Sequence, residues 1–313
     1  MYIRGVFVDD LVLIDWLSFT SQIHSPQDLI SILGMDAASW TPGRGAHGYK
    51  DRLYYNCCSI HYNGGLDMGV WVELSGQGCR CFEDIGHGDY TMLFDLIDDN
   101  PDQMHLTRLD IAFDDHTGLL DMQNVMEDTR LQNWVGPAAS WTVTESNKGS
   151  SVVIGSPQSR VLVRIYDKAA ERGRTGEHWV RVEMQLRDDR ALQFSRLPYP
   201  IGEAFAGVLV NYLRYVEPSS TDTNKRRWPL RDYWADLVGR AAAISIFTKP
   251  GLQYNVLKCE RYVYRQAGNA IDALIKCYGL DQFKEKLDRR QSRPNPKYSQ
   301  MIEDFLRSCE DAG

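Results

Sequence analysis

The sequence predicts an α+β fold: a largely antiparallel sheet built from two loosely repeated β/α halves, with a helical C-terminal region. Three observations predict it. Strand-like runs alternate apolar and polar residues, so each has one face to bury. The order strand, helix, strands, helix, strand occurs once before residue 115 and again, loosely, over 140–215, without a residue-level repeat. Beyond about residue 230 the pattern is helical, over about 230–243, 255–277, 279–291 and 297–309, punctuated by Gly279 and Pro294-Asn295-Pro296.

The elements follow in order. Residues 11–20 read as a strand. Ser25-Pro26 then opens a helix, the serine capping and the proline taking the first helical position. Residues 42–65 carry glycines and Tyr49, Tyr54, Tyr55 and Tyr62, which suggests strands joined by tight turns. Gly69 to Glu83 reads as a strand pair or long strand broken at Ser75-Gly76-Gln77-Gly78. Asp89 to Asn100 looks helical and stops before Pro101. A strand at Arg108–Asp114 and a helix at about 119–132 come next. Strands are expected at Val152–Ile154, Val161–Tyr166 and Trp179–Leu186, and Leu192 to Val216 reads as mainly helical. Residues 217–228 read as a linker. The expected domains are thus a β/α region at 1–216 and a helical region at 229–313.

Composition excludes several classes. The chain is 43% hydrophobic and 25% charged, an ordinary globular balance. No window approaches the roughly 20 apolar residues of a membrane span, and Met1 to Asp10 does not read as a signal peptide. Seven cysteines (Cys57, Cys58, Cys79, Cys81, Cys259, Cys277 and Cys309) match no zinc spacing and read as reduced thiols of a cytoplasmic protein. Cys79 and Cys81 are expected on one strand face. The net charge of -7 argues against a generic nucleic-acid binder, but residues 220–313 carry 17 Lys and Arg against 12 Asp and Glu. DNA affinity needs a local basic patch, not a basic total. That region holds Lys225-Arg226-Arg227-Trp228, a candidate DNA grip, and Lys258, Arg261 and Arg265 near one helical face. The same cations suit solvated helix faces, and Trp228, Tyr233 and Trp234 suit packing.

The densest chemical signal lies in three strand faces. Alternation puts Arg160, Leu162, Arg164, Tyr166 and Lys168 together; Arg108, Asp110 and Asp114 together; and Arg181, Glu183 and Gln185 together. If the faces converge, they supply a phenol nucleophile, carboxylates for a metal and cations for a phosphate. A free phenol has a pKa of about 10, so only roughly 0.1% is ionised at pH 7. Arg164 and Lys168 are expected to favour the phenolate and hold a scissile phosphate. Arg181 or Arg108 would stabilise charge on phosphoryl oxygens or pair with the carboxylates. Asp114-Asp115 also suits the turn after a strand. Tyr49, Tyr54 and Tyr55 are rival tyrosines without a comparable basic face. Gly76-Gln77-Gly78 reads as a strand kink, since no Lys-Ser/Thr follows to build a phosphate loop.

The ordered series Ile14-Asp15-Trp16-Leu17-Ser18-Phe19-Thr20, Leu74-Ser75-Gly76-Gln77-Gly78-Cys79-Arg80, Thr107 to Asp115, Gly155-Ser156 with Ser159, Arg164-Ile165-Tyr166-Asp167-Lys168, and Arg181-Val182-Glu183 resembles the Rep-trans rolling-circle replication initiators. These serve small plasmids and filamentous phages and include related relaxases of integrative elements. The resemblance spans roughly 11–215; a His-hydrophobic-His motif is absent, and Pro157 stands where family members commonly carry a basic residue. It implies sequence-specific nicking and rejoining of one DNA strand at an origin through a 5′-phosphotyrosyl link. By position it implies Tyr166 as nucleophile and Asp110 and Glu183 as metal ligands, with Asp114 a further candidate. Carboxylate ligands select Mg²⁺ or Mn²⁺. Lys168 and Arg181 complete the expected catalytic set, and Arg164, Arg108, Lys225, Arg226 and Arg227 the DNA contacts. The implied partners are origin DNA, a host helicase and a second copy of the chain, in a bacterial cytoplasm. A conjugative-type relaxase and a non-catalytic origin or promoter regulator are the competing readings.

Overall fold

In the computed structural model the described residues are 11–147, 149–174, 176–197, 199–243 and 268–289. The first half opens with β1 (Leu11–Ser21) and α1 (Pro26–Leu33), then the strands β2 (Thr41–Arg44), β3 (Asp51–Tyr55), β4 (Cys58–Tyr62) and β5 (Val70–Leu74), and the helices α2 (Gly76–Asp84) and α3 (Tyr90–Asp98). The second half opens with β6 (Met104–Asp115), α4 (Met122–Arg130) and the short β7 (Trp134–Val135). It continues through β8 (Trp141–Ser146), β9 (Gly149–Ile154), β10 (Val161–Asp167), α5 (Lys168–Glu171) and β11 (Val180–Arg187). Helices α6 (Asp189–Ser195) and α7 (Ile201–Tyr212), strand β12 (Arg214–Tyr215) and helix α8 (Asp232–Ala243) complete it.

Ten strands form one antiparallel sheet in the order β2-β3-β4-β5-β1-β6-β11-β10-β9-β8. The order explains the loose repeat. In each half a long strand is followed by a helix and then a four-stranded meander, whose last strand returns to pair with the first. The two long strands, β1 and β6, join the halves at the centre of the sheet.

Alternation sorts the faces as expected. Leu17, Phe19, Ile60, Val72, Leu109, Ile111, Phe113, Ile165, Val182 and Met184 are buried in one continuous core with Leu29 and Leu33 of α1, Phe82 of α2, Val125 and Met126 of α4, and Phe205 and Leu209 of α7. The start of α1 is a capping box: Ser25 Oγ accepts from Asp28 N, and the Asp28 carboxylate accepts from Ser25 N.

Several expectations are corrected. Residues 69–83 are not a strand pair; β5 ends at Leu74 and α2 begins at Gly76. The glycines that read as a kink let α2 lie close to the β3–β4 turn, since a Cβ on Gly78 would sit 2.4 Å from the Cys57 carbonyl oxygen. Cys79 and Cys81 are therefore buried helix residues, not strand neighbours, and the described cysteines are free thiols. Strand β8 was not expected. Residues 192–216 are two helices and a strand, with Pro200 at the N-cap of α7.

The segment 217–228 does not separate compact units. The first unit extends to Ile246, and α8 belongs to it. Trp234 is fully buried and donates to the Leu213 carbonyl, while Arg231 and the Tyr233 hydroxyl both donate to Asp128 on α4. In the second unit the described residues form two helices, Gly268–Tyr278 and Leu280–Asp288. Lys258, Arg261, Arg265 and the helix expected at 297–309 lie outside the described residues.

Candidate active site

The site is built where β6, β11 and β10 run side by side. Register places Asp114 opposite Arg181, and Arg181 opposite Tyr166. It places Asp110 opposite Gln185, and Glu183 between Ala112 and Arg164. The three faces expected to converge therefore do so, because strand pairing with period-two alternation keeps their polar residues on one side.

Tyr166 is at the centre. It is only 7% exposed, and its hydroxyl donates to Glu183 Oε2 at 3.0 Å. Lys168 Nζ donates to the same hydroxyl at 3.2 Å. Arg164 stacks over the ring, its Cζ 4.7 Å from the centroid, and its Nη2 donates to Glu183 Oε1 at 2.7 Å. Lys168 is not a strand residue: it begins α5, where Asp167 caps the helix through Ala170 N. That turn carries its side chain back over Tyr166, where it is buried and also paired with Glu171. The rival tyrosines have other roles. Tyr49 donates to the Met68 carbonyl, Tyr54 lies under Arg52, and Tyr55 packs on Trp40.

The cations do not make Tyr166 acidic. Burial pushes its phenol well above the ordinary value, and the neighbouring Glu183 carboxylate adds to the rise against Arg181 and Arg164. Arg164 does favour the phenolate, as expected, but burial outweighs it. The phenol is held protonated with its proton directed at Glu183.

The carboxylates divide into two kinds. Both oxygens of Asp114 are taken by Arg181, with Nε to Oδ1 at 2.6 Å and Nη2 to Oδ2 at 2.7 Å. Arg181 Nη1 also lies 2.8 Å from Asp15 Oδ2. Arg181 is thus a buried clamp between β6 and β1. Neighbouring Asp115 takes the turn role, accepting from Thr117 N, Leu120 N and the His178 ring. Asp110 is gripped by Arg108 through Nε and Nη2 at 2.9 and 2.5 Å. Burial pushes its carboxyl up to about 7; Arg108 opposes the rise, and Glu183 and Asp15 add to it. A carboxyl whose burial outweighs its pairing with a single guanidinium has room for further positive charge, and a hard divalent cation commonly binds through one or two carboxylates, water and substrate phosphate. Asp110 and Glu183 carry oxygen donors of that kind, each already paired with one arginine, Arg108 and Arg164, whereas Asp114 is clamped by Arg181 into the buried link to Asp15. Among the described residues no group of three or more His, Cys, Asp or Glu is arranged to hold a metal ion.

Asp15 had no role in the sequence reading, although it interrupts the alternation Leu13, Asp15, Leu17. The structure resolves that interruption as a β-bulge between Ile14 and Trp16, which turns the carboxylate toward Arg181. The next residue, Trp16, supports Arg108, whose Cζ lies 4.1 Å from its ring centroid.

The expected DNA contacts at 225–227 form a separate 3₁₀ turn. Lys225 donates to the Gln132 carbonyl, Arg227 pairs with Asp222, and the Arg226 carbonyl accepts from Arg214. These bonds do not join them to the Tyr166 cluster.

Residues 104–289 match the Rep_trans family of replication initiation factors. The chain belongs to this family. Residues 11–99 match the N-terminal domain of rolling-circle replication initiation proteins, so the two matches divide the chain between α3 and β6, at the boundary of the structural halves. The solved structure of a rolling-circle replication initiator protein from Geobacillus stearothermophilus has 30% identity and a TM-score of 0.69, over 76% of this chain and 98% of that one. The "Putative DNA relaxase NicK" of Bacillus subtilis (strain 168) is 21% identical over 259 residues, 76% of this chain and 73% of the relative. No described helix is long and apolar enough to cross a membrane.

Proposed function

We propose that this Rep_trans protein nicks and rejoins one strand of origin DNA through Tyr166. The observation that carries the reading is the Tyr166 hydroxyl set between a carboxylate acceptor and a buried ammonium, at 3.0 and 3.2 Å.

In the proposed reaction Tyr166 Oη attacks the scissile phosphorus, and its proton passes to Glu183 Oε2. The bond from phosphorus to the 3′ oxygen breaks, and that oxygen leaves as a 3′-hydroxyl with a proton from solvent water, to which Glu183 returns the one it received. The product is a 5′-phosphotyrosyl ester, which stores the bond energy needed for rejoining. Lys168 lowers the cost of charge on Oη, and Arg164 holds Glu183 in place while its remaining donors face the phosphate. Arg181 acts through position: it ties Asp114 and Asp15 and faces Tyr166 across the β10–β11 pair. Asp110 and Glu183 would hold Mg²⁺ or Mn²⁺, which when bound supplies a Lewis acid for the phosphoryl oxygens.

Within this function the proposed partners are origin DNA, a host helicase and a second copy of the chain. The second copy would supply another tyrosine for the closing transesterification, since initiation and termination each consume one. The proposed location is the cytoplasm of a bacterial host. Similarity to NicK keeps a relaxase of an integrative element as the second reading, with the same chemistry at a different target.

The test is incubation with supercoiled DNA carrying the candidate origin and Mg²⁺ or Mn²⁺, followed by a search for protein on the 5′ end. Wild type is expected to give an adduct that Tyr166→Phe does not. Sequence-specific binding with no adduct, under active metal conditions on a verified origin, would instead establish the regulator reading.

A further inference from the structure

One arginine on the catalytic face is unexplained by the site above. Arg187 ends β11 directly opposite Arg108 of β6, and its backbone N–H donates to the Arg160 carbonyl at the start of β10. Three arginines therefore stand side by side in backbone register, on β6, on β11 and immediately before β10. Like charges opposite one another in a sheet are unfavourable. The outer two are relieved, Arg108 by Asp110 and Arg160 by Asp189. The middle one is not: Arg187 is half-buried, its Nε is shut off from solvent, and its side chain has no hydrogen-bond or ion-pair partner among the described residues. A cation placed between two others without a counter-charge marks a place for an anion.

The row lies on the face that carries Tyr166. Arg187 is six residues from Arg181 along β11, and Arg160 six from Tyr166 along β10, about 20 Å at ~3.3 Å per residue. Between them, Arg164 keeps 42% of its side chain exposed. Cations are thus spaced along the face from the nucleophile to the end of the sheet. Tyr166 is sunk in that face, so a backbone that reaches its hydroxyl must follow the sheet closely. An unpaired strand bends to do so; duplex DNA, with a persistence length of about 150 base pairs, resists it.

We propose that the Arg108–Arg187–Arg160 row anchors the phosphodiester backbone of the unpaired DNA strand flanking the nick, with Arg187 as its phosphate ligand. The inference rests on the reading that DNA is cleaved at Tyr166, and its test needs no cleavage. Anisotropy binding of labelled (dT)16 and of a 16-base-pair duplex would be measured against salt for wild type, Arg187→Gln and Arg187→Lys. Loss of one charge-assisted contact is expected to weaken (dT)16 binding about tenfold in the Gln variant. The slope of log K against log salt should fall by about 0.7, the value of one phosphate on a single strand, and Arg187→Lys should retain that slope. Unchanged (dT)16 affinity and slope in the Gln variant, or a larger loss on duplex than on (dT)16, would overturn the anchor. Neither outcome depends on adduct formation, so an intact adduct with an unaffected Gln variant would reject the anchor and leave the nicking reading standing.

Discussion

The structure gives Arg181 a structural task, and the size of that task is open to measurement. Arg181 and Asp114 are each no more than 5% exposed and are joined by two parallel hydrogen bonds. Removing one member of such a pair costs about 3–5 kcal/mol, because the other charge stays buried. The two members are not equivalent. Asp114→Asn leaves Arg181 with Asp15 at 2.8 Å, so its cost should fall near the lower value. Arg181→Met leaves Asp114 and Asp15 both without their cation, and its cost should fall near the upper one. The double variant removes the mismatch, so it should cost less than the sum of the singles by at least about 2 kcal/mol. Urea unfolding of the four proteins, followed by far-ultraviolet circular dichroism, gives these differences. Additive costs would refute the clamp. So would an Arg181→Met protein of normal stability that has lost only DNA affinity, because Arg181 would then be a phosphate ligand after all.

The other expectations concern the phenol, the carboxyl and a close approach in the fold. Tyr166→Phe removes the hydroxyl's two hydrogen bonds and should change stability by no more than about 2 kcal/mol, with (dT)16 binding retained; a variant that does not fold would remove the basis for reading Tyr166 as a nucleophile. For Asp110, burial places the carboxyl at about 7, above its unfolded value of about 3.9. A raised value means the native state holds the proton more tightly. Asp110 therefore contributes stability that is full below about pH 4 and lost as pH rises through 7, in the absence of divalent ions. The stability gap between wild type and Asp110→Asn should change over that window and level above it. Added Mn²⁺ should raise the melting temperature of wild type at pH 8 and not that of Asp110→Asn; equal shifts would place the ion elsewhere. Gly78→Ala puts a Cβ 2.4 Å from the Cys57 carbonyl oxygen. It should cost about 1–3 kcal/mol in urea unfolding, and a neutral effect would show that α2 moves freely away from the β3–β4 turn.

How much of this was legible follows from what alternation encodes. A period of two says which residues share a face, so the faces holding Tyr166, Asp110 and Glu183 were readable from one strand at a time. The repeated halves were readable as an order of elements, and the sheet order β2-β3-β4-β5-β1-β6-β11-β10-β9-β8 gives that order its cause. Segment 69–83 was misread because Gly76 and Gly78 carry a strong turn signal, while the helix they permit depends on the distant Cys57 carbonyl. The fusion of α8 to the first unit was hidden for the same reason: Asp128, which binds Arg231 and Tyr233, is more than 100 residues away in sequence.

The chemistry of each charged group was less legible than its face, because alternation gives a side and register gives a partner. Arg164 read as a phosphate-holding cation beside the tyrosine, and Arg108 and Arg181 as cations for phosphoryl oxygens or for the carboxylates, without a partner for any of them. Pairing makes them different: Arg108 belongs to Asp110, Arg164 to Glu183, and Arg181 to Asp114 and Asp15. Asp110 and Asp114 likewise both stood as metal-ligand candidates, Asp114 the weaker, four residues apart on one face. Arg181 meets Asp114 because β11 pairs with β6 at that position, and a shift of two residues would have given it Ala112 instead. Glu183 does face Ala112, whose small side chain leaves it room to turn to Tyr166 and Arg164 on β10. The alanine in the Asp110-Ile111-Ala112-Phe113-Asp114 run is therefore as much a part of the site as the acids beside it. Filling that position, as in Ala112→Val, would crowd Glu183 away from the phenol without touching a charge.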